Sequence, residues 1–177
     1  MSDLDNANLP QFYPPVRDLK LKVGKGGLSE NLLLKAQKVI DTNTVDFIDI
    51  ANPYLLVLGE GIATASSNQE EDHEALIDNI LFPAMQLKAN GEIFHYPIIT
   101  KIAAKLLWFL ERIYKLNPHA LEIVNAFDGA IQLSFKKKLK GPITDAGQAV
   151  LDELDLVCTR YFEKYPDNVH PRTQKKD

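Results

Sequence analysis

Apolar residues recur every three or four positions along most of this chain, which is the spacing of one face of an α-helix. Proline, glycine and short polar runs divide the pattern into segments. It predicts five or six helices, over residues 29–41, 44–65, 70–90, 97–113, 121–140 and 144–162. No stretch alternates apolar and polar residues at period two for long, so we predict an all-α domain with short connections.

Individual residues mark where these helices begin and where they are disturbed. Ser29 is a suitable N-cap for the first helix, and Pro97 suits the first turn of the fourth. Pro53 and Pro83 fall inside the second and third helices, where proline removes a backbone donor and clashes with the preceding turn. We therefore expect a kink or a break near Asn52 and a bend at Pro83.

The two ends of the chain differ from the helical middle. Residues 1–28 contain several prolines and glycines and one short alternating run, which predicts an extended N-terminal arm lying on the domain surface. Residues 166–177 are polar and predict a flexible tail. Between them we predict a single helical-bundle domain over residues 29–165, a length that can enclose one substantial core.

Composition and charge exclude several classes of protein. The net charge of −4 argues against a general nucleic-acid binder, which needs a basic face to neutralise phosphates. The single cysteine, Cys158, and four scattered histidines predict no disulfide and no metal centre. The chain has no signal-peptide pattern and no run of ~20 apolar residues. We therefore expect a cytoplasmic protein that uses no cofactor and no membrane.

The stretch over residues 80–112 carries the most specific pattern in the chain. It predicts two apolar helices joined by a short connection that contains Gly91, Phe94 and Tyr96, with Lys88 just before it. This order resembles the signature of histidine phosphotransfer (HPt) domains, in which a bundle-helix histidine is followed by a lysine three residues on, then by glycines and a second apolar helix. The resemblance implies an antiparallel four-helix bundle, here with additional helices and the arm.

The same resemblance shows where this chain departs from the family. Met85 occupies the position of the phosphorylated histidine, Ala89 that of the first glycine and His95 that of the second. Methionine has no nucleophilic nitrogen, so phosphoryl transfer cannot occur at residue 85. Lys88, whose counterpart in the family offsets the charge of the phosphoryl oxygens, is retained. The chain therefore resembles a degenerate HPt domain, and we expect no enzymatic activity.

Three functions remain open at this point. In the first, a non-catalytic HPt-like protein docks a receiver domain or a histidine kinase of two-component signalling. Its partner-binding face would comprise Met85, Gln86, Lys88, Ala89, Glu92 and His95. In the second, His95 replaces the missing histidine and the protein is an active phosphotransfer protein. In the third, the chain is a helical scaffold or oligomerisation module unrelated to signalling, and Lys88 is an ordinary solvated residue.

Two expectations concern the exposure of particular side chains. Docking through the third helix requires that Met85 and Lys88 lie on one solvent-facing side of it. Trp108 and Phe109 are neighbours in the fourth helix, so one ring must point away from the main core. That ring would be available for a contact between two copies, and a homodimer is therefore also open.

Overall fold

The structure, a computed structural model, describes residues 29–42, 47–67 and 72–170. Within these ranges the helices are α1 (Glu30–Asp41), α2 (Phe47–Ser67), α3 (His73–Ile93), α4 (Pro97–Leu110), α5 (Pro118–Lys136) and α6 (Asp145–Lys164), followed by a 3-10 turn at Pro166–Asn168. The only pairing of extended backbone in the described residues is an isolated bridge between Ile113 and Val169. The all-α prediction is confirmed. The predicted arm over residues 1–28 lies outside the described residues.

The chain divides into two compact units, Met1–Asn43 and Thr44–Asp177. Helix α1 belongs to the first unit and is capped by Ser29, whose hydroxyl accepts a hydrogen bond from the Leu32 amide at 3.3 Å. Its large apolar side chains are exposed, and these are Leu32, Leu33, Leu34 and Val39. The helical spacing of apolar residues in α1 therefore does not correspond to burial, and the single domain over residues 29–165 stays a prediction.

The second unit is built around four helices that pack in a closed order. Helix α2 packs against α3 and α5, and α4 packs against the same two helices. Helix α6 lies against α4 and α5. The interior is filled by large aliphatic and aromatic side chains, among them Leu58, Ile80, Leu87, Ile99, Ile102, Leu106, Phe109 and Phe127. Helix α3 thus has one side in this core and another side that faces away from it.

Neither internal proline breaks its helix. Helix α2 continues through Pro53, so the break considered near Asn52 is wrong, and the exposed position of this proline leaves the nearby backbone open to water. Pro83 cannot donate to the Asn79 carbonyl one turn earlier. That carbonyl faces Gly61 of α2, where an added Cβ would lie 3.2 Å from the oxygen. The proline in α3 and the glycine in α2 therefore mark a close approach of the two helices.

Residues 166–170, which we assigned to a flexible tail, bind to the segment that follows α4. The Asn168 side chain accepts a hydrogen bond from the Lys115 amide at 2.8 Å. It donates to the Lys115 carbonyl at 2.8 Å and to the Tyr161 hydroxyl at 2.6 Å. The His170 amide donates to the Arg112 carbonyl at 2.7 Å. We call residues 166–170 the C-terminal latch. This part of the tail prediction is wrong, and residues 171–177 lie outside the described residues.

Candidate partner-binding face

Helix α3 carries most of the predicted face, and its sequence explains where it begins. The Asp72 side chain caps the helix by accepting a hydrogen bond from the Glu74 amide at 3.0 Å. One side of the helix enters the core through residues spaced by three or four positions, namely Leu76, Ile80, Ala84, Leu87 and Gly91. The opposite side is therefore held in a fixed orientation towards solvent.

The residues predicted to bind a partner lie on this outer side or just beyond it. Met85 is 56% exposed, and Lys88, Ala89 and Glu92 are exposed as well. Gln86 is only half-buried. His95 is exposed but belongs to the connection after the helix. The requirement that Met85 and Lys88 be exposed together is met.

Two further residues of the outer side were missed by the sequence reasoning. Phe82 is 57% exposed and Ile93 is 55% exposed. Together with Met85 and Ala89 they are spaced by three or four positions, so they follow one line along about three turns. We call Phe82, Met85, Ala89 and Ile93 the exposed apolar stripe. The sequence did carry a signal for these two residues. Helix α3 has apolar residues on two sides, whereas a helix with a single buried side needs them on that side only.

The end of α3 is a tight, hydrogen-bonded turn. The Tyr96 amide donates to the Gly91 carbonyl at 2.7 Å, and the His95 amide donates to the Glu92 carbonyl at 3.2 Å. This pair of bonds is the Schellman pattern, which needs a left-handed backbone at the residue after the cap. His95 supplies it with φ of 63°. A histidine therefore stands at a position that glycine usually occupies.

Gly91 allows α3 and α4 to approach each other at this turn. A Cβ at residue 91 would lie 2.6 Å from the Thr100 hydroxyl oxygen and 3.2 Å from the Thr100 backbone nitrogen. The His95 carbonyl in turn accepts a hydrogen bond from the Gly141 amide at 2.8 Å, which joins the turn to the connection between α5 and α6. The backbone that carries the exposed His95 side chain is thus fixed from two directions.

Aromatic rings fill the space beneath the turn. Phe47 stacks on Phe94 with ring centroids 5.3 Å apart, and its ring also lies 5.1 Å from those of Tyr96 and Phe135. Phe47 and Tyr96 are buried. Contacts of this kind favour one arrangement of the surrounding helices, because offset and tilted ring pairs are directional. The end of α3 is therefore a rigid support for the stripe.

Burial changes the pKa values of titratable groups, among them Cys158 and Asp128. Burial raises the pKa of the Cys158 thiol to about 12, so the thiolate is scarce near neutral pH. Burial also raises the pKa of the Asp128 carboxyl, and a hydrogen bond from Gln132 opposes this shift. No group of three or more histidine, cysteine or acidic residues within the described ranges is arranged to hold a metal ion.

The other histidines lie apart from the predicted phosphorylation position. His73 begins α3, twelve positions before Met85, which corresponds to about 18 Å along the helix. His119 is in the first turn of α5, where its ring stacks on that of Tyr165. His170 is in the C-terminal latch. Among the described histidines, His95 is therefore the nearest to Met85 along the chain.

Comparison with known proteins gives no further assignment, because no family model, no curated protein and no solved structure matches this chain. No helix in the described ranges is both long enough and apolar enough to cross a membrane. The functional hypotheses below rest on the geometry of α3 and of the turn that follows it.

Proposed function

We propose that this chain is a non-catalytic, phosphotransfer-like protein that docks a receiver domain or a histidine kinase through the exposed apolar stripe. The observation that carries the proposal is the stripe itself. Three large apolar side chains, Phe82, Met85 and Ile93, are each more than half exposed on one side of a single helix. A contiguous exposed apolar patch of this kind is typical of a protein-binding surface.

The packing order of the helices supports this proposal. The resemblance implies an antiparallel four-helix bundle, and the closed order in which α2, α3, α4 and α5 contact one another agrees with such a bundle. In that arrangement α6 is an additional helix against α4 and α5. The docking helix is then one of the four bundle helices, as the resemblance requires.

The backbone of the turn also supports the register of the resemblance. His95 falls at the second glycine position of the motif, and its φ of 63° is one that glycine adopts without steric cost. Gly91 is needed for close contact with Thr100. The motif residues that shape the turn therefore have a physical reason to be where they are, independently of any phosphoryl chemistry.

The side chains around the stripe suit binding without transfer. Met85 is flexible and polarizable, so it adapts to the shape of an apolar partner surface. Lys88 and Glu92 lie one helical turn apart at one edge of the stripe, where they fix orientation and exclude mismatched partners. In this proposal Lys88 attracts the acidic region around the aspartate of a receiver domain, and residue 85 accepts no phosphoryl group.

The test is to titrate the full chain with purified receiver domains, free and phosphorylated, and to follow binding by calorimetry. We expect binding that Met85→Glu weakens about five-fold or more, because it places a charge in the centre of the contact. Val150→Glu is the matched control: Val150 is an exposed aliphatic residue of α6, and its substitution should leave binding unchanged. Radiolabelled phosphoryl receiver should leave no acid-labile label on the chain.

Two results would contradict this proposal. Acid-labile label on the wild-type chain that disappears in His95→Ala would identify an active phosphotransfer protein with His95 as acceptor. Absence of binding to any receiver or kinase domain, together with self-association that Lys88→Glu leaves unchanged, would identify a scaffold or oligomerisation module instead.

A further inference from the structure

A separate cavity lies at the other end of α3, between its first turns and the segment that follows α4. Its volume is about 460 Å³, within the usual range for small-molecule sites. Ile77, Leu81, Leu110 and Ile113 form an apolar part of its lining. Leu110 and Ile113 are each only 1% exposed, so this part of the cavity is continuous with the core.

The rest of the lining is polar and predominantly acidic. The start of α3 and the end of α4 contribute four acidic side chains, which are Asp72, Glu74, Asp78 and Glu111. The lining contains one lysine, Lys115. These carboxylates are exposed. Within the described residues, none of Glu74, Asp78 and Glu111 forms a salt bridge. The lining therefore carries an excess of negative charge.

An aromatic ring completes the cavity. Tyr114 is 53% exposed, and the Lys115 ammonium lies 5.8 Å from the centroid of its ring. The ring of His170 lies 6.0 Å from that of Tyr114. The face of Tyr114 thus already interacts with one cation, since aromatic faces attract ammonium groups at such distances, and a ligand ammonium that uses this face displaces the Lys115 side chain.

We propose that this cavity binds an organic cation, namely a small molecule with an apolar or aromatic body and a protonated amine. The apolar lining removes the body of the ligand from water. The carboxylates at the rim and the face of Tyr114 attract its ammonium group. This site uses none of the residues of the exposed apolar stripe, so the proposal stands independently of the proposed docking function.

The C-terminal latch forms part of the wall of this cavity. His170 belongs to the latch, and Ile113 is joined to Val169 of the latch by the isolated bridge. Asn168 holds this segment against Lys115. A ligand in the cavity should therefore stabilise the latch, and its binding should protect the amides of Tyr114 and His170 from hydrogen exchange.

The experiment is an NMR titration of the full chain with 2-phenylethylamine as the probe. The neutral isostere 2-phenylethanol and the anion 3-phenylpropionate are titrated in parallel. We expect the amine to bind best and the anion worst, with shift changes concentrated at lining residues such as Ile77, Leu110 and Tyr114. Binding of the amine should weaken at higher salt, because the rim carboxylates are exposed.

Matched variants separate local recognition from overall charge. Asp78→Asn and Glu111→Gln should each weaken binding of the amine about two- to five-fold. Glu153→Gln changes the net charge equally on α6, where Glu153 is exposed outside the cavity, and should leave binding unchanged. Tyr114→Leu keeps an apolar side chain but removes the ring face, and it should reduce the preference for the amine over the alcohol.

The proposal is overturned if 2-phenylethanol binds as tightly as 2-phenylethylamine, or if the shift changes fall outside the lining. It is also overturned if Glu153→Gln weakens binding as much as Glu111→Gln, since the effect would then be one of net charge alone. Receiver binding measured on the same variants should stay at the wild-type level, which keeps this test separate from that of the docking function.

Discussion

Replacing His95 by glycine should stabilise the protein, although it removes a side chain. His95 holds a left-handed backbone, with φ of 63°, at the residue that follows the cap of α3. Non-glycine residues crowd their own Cβ against the backbone there, whereas glycine has no Cβ. The Tyr96 amide donates to the Gly91 carbonyl and the Gly141 amide donates to the His95 carbonyl, and neither bond involves an atom of the imidazole. Glycine therefore keeps the turn and removes the steric cost.

The expected gain follows from two opposing terms. A left-handed backbone costs a non-glycine residue about 1–2 kcal/mol. Glycine gains extra freedom in the unfolded chain, which offsets about 0.5–1 kcal/mol of this. The net prediction for His95→Gly is a stabilisation of about 0–1.5 kcal/mol, which corresponds to a rise in Tm of up to about 6 °C for a chain of this size.

Lys138 holds the same left-handed backbone geometry at the end of α5. Its φ is 48°, the Leu139 amide donates to the Ser134 carbonyl at 3.0 Å, and the Lys138 amide donates to the Phe135 carbonyl at 2.9 Å. Lys138→Gly should therefore also stabilise. The control is Lys101→Gly in the middle of α4, where the residue is exposed and helical, and where glycine should cost about 1 kcal/mol.

Urea unfolding followed by circular dichroism measures all three variants. His95→Gly and Lys138→Gly should shift the midpoint upwards, and Lys101→Gly should shift it downwards. The reasoning is refuted if all three variants lose stability together, because the left-handed geometry would then not limit stability at residues 95 and 138. His95→Gly also removes the candidate phosphoryl acceptor. Because the proposed docking surface is the exposed apolar stripe, which does not include residue 95, this variant should still bind a receiver domain.

Three further predictions concern the core and the latch. Gly91→Ala should cost about 1–3 kcal/mol, since the new methyl group meets Thr100 at 2.6 Å, and thermal unfolding measures the loss. Asn168→Ala should cost about 2–4 kcal/mol in urea unfolding, because the buried Tyr161 hydroxyl and the part-buried backbone groups of Lys115 lose their partner. Burial raises the pKa of Cys158 from 9.0 to about 12, so the folded thiol keeps its proton at pH values where the unfolded thiol loses it. The free energy of unfolding should therefore fall as the pH rises from about 9 towards 12, and Cys158→Ala should reduce that fall in a series of urea titrations.

Local signals predicted the helices and their starts well. The Thr144 side chain accepts a hydrogen bond from the Gly147 amide in the first turn of α6, and this helix was predicted to begin at Thr144. Such caps act over three or four residues, so sequence alone reveals them. The all-α class follows from the same short-range information.

The errors came from interactions between segments that are distant in sequence. Pro53 was expected to kink or break α2, but the helix continues through it from Phe47 to Ser67 and packs against α3 and α5. The latch was predicted to be a flexible tail because its composition is polar, and one buried side chain, Asn168, reverses that expectation. Neither effect is visible in the spacing of apolar residues.

The candidate site was predicted in part for a similar reason. The spacing from Met85 to Lys88 placed both residues on one side of α3, and both are exposed. Phe82 and Ile93 were missed, because an apolar residue that faces solvent has the same identity as one that faces the core. Solvent-facing and core-facing apolar residues can be told apart only from the packing of α3, whose buried side contacts α2 and α4.

The C-terminal latch also has a consequence for folding kinetics. Lys115 and Asn168 are separated by 53 positions, so we expect their contact to form after α5 and α6 have docked and a long loop has closed. A contact made after the rate-limiting step slows unfolding without accelerating folding. We expect the latch to act mainly on the lifetime of the native state, so that opening it shortens this lifetime and leaves the folding rate almost unchanged.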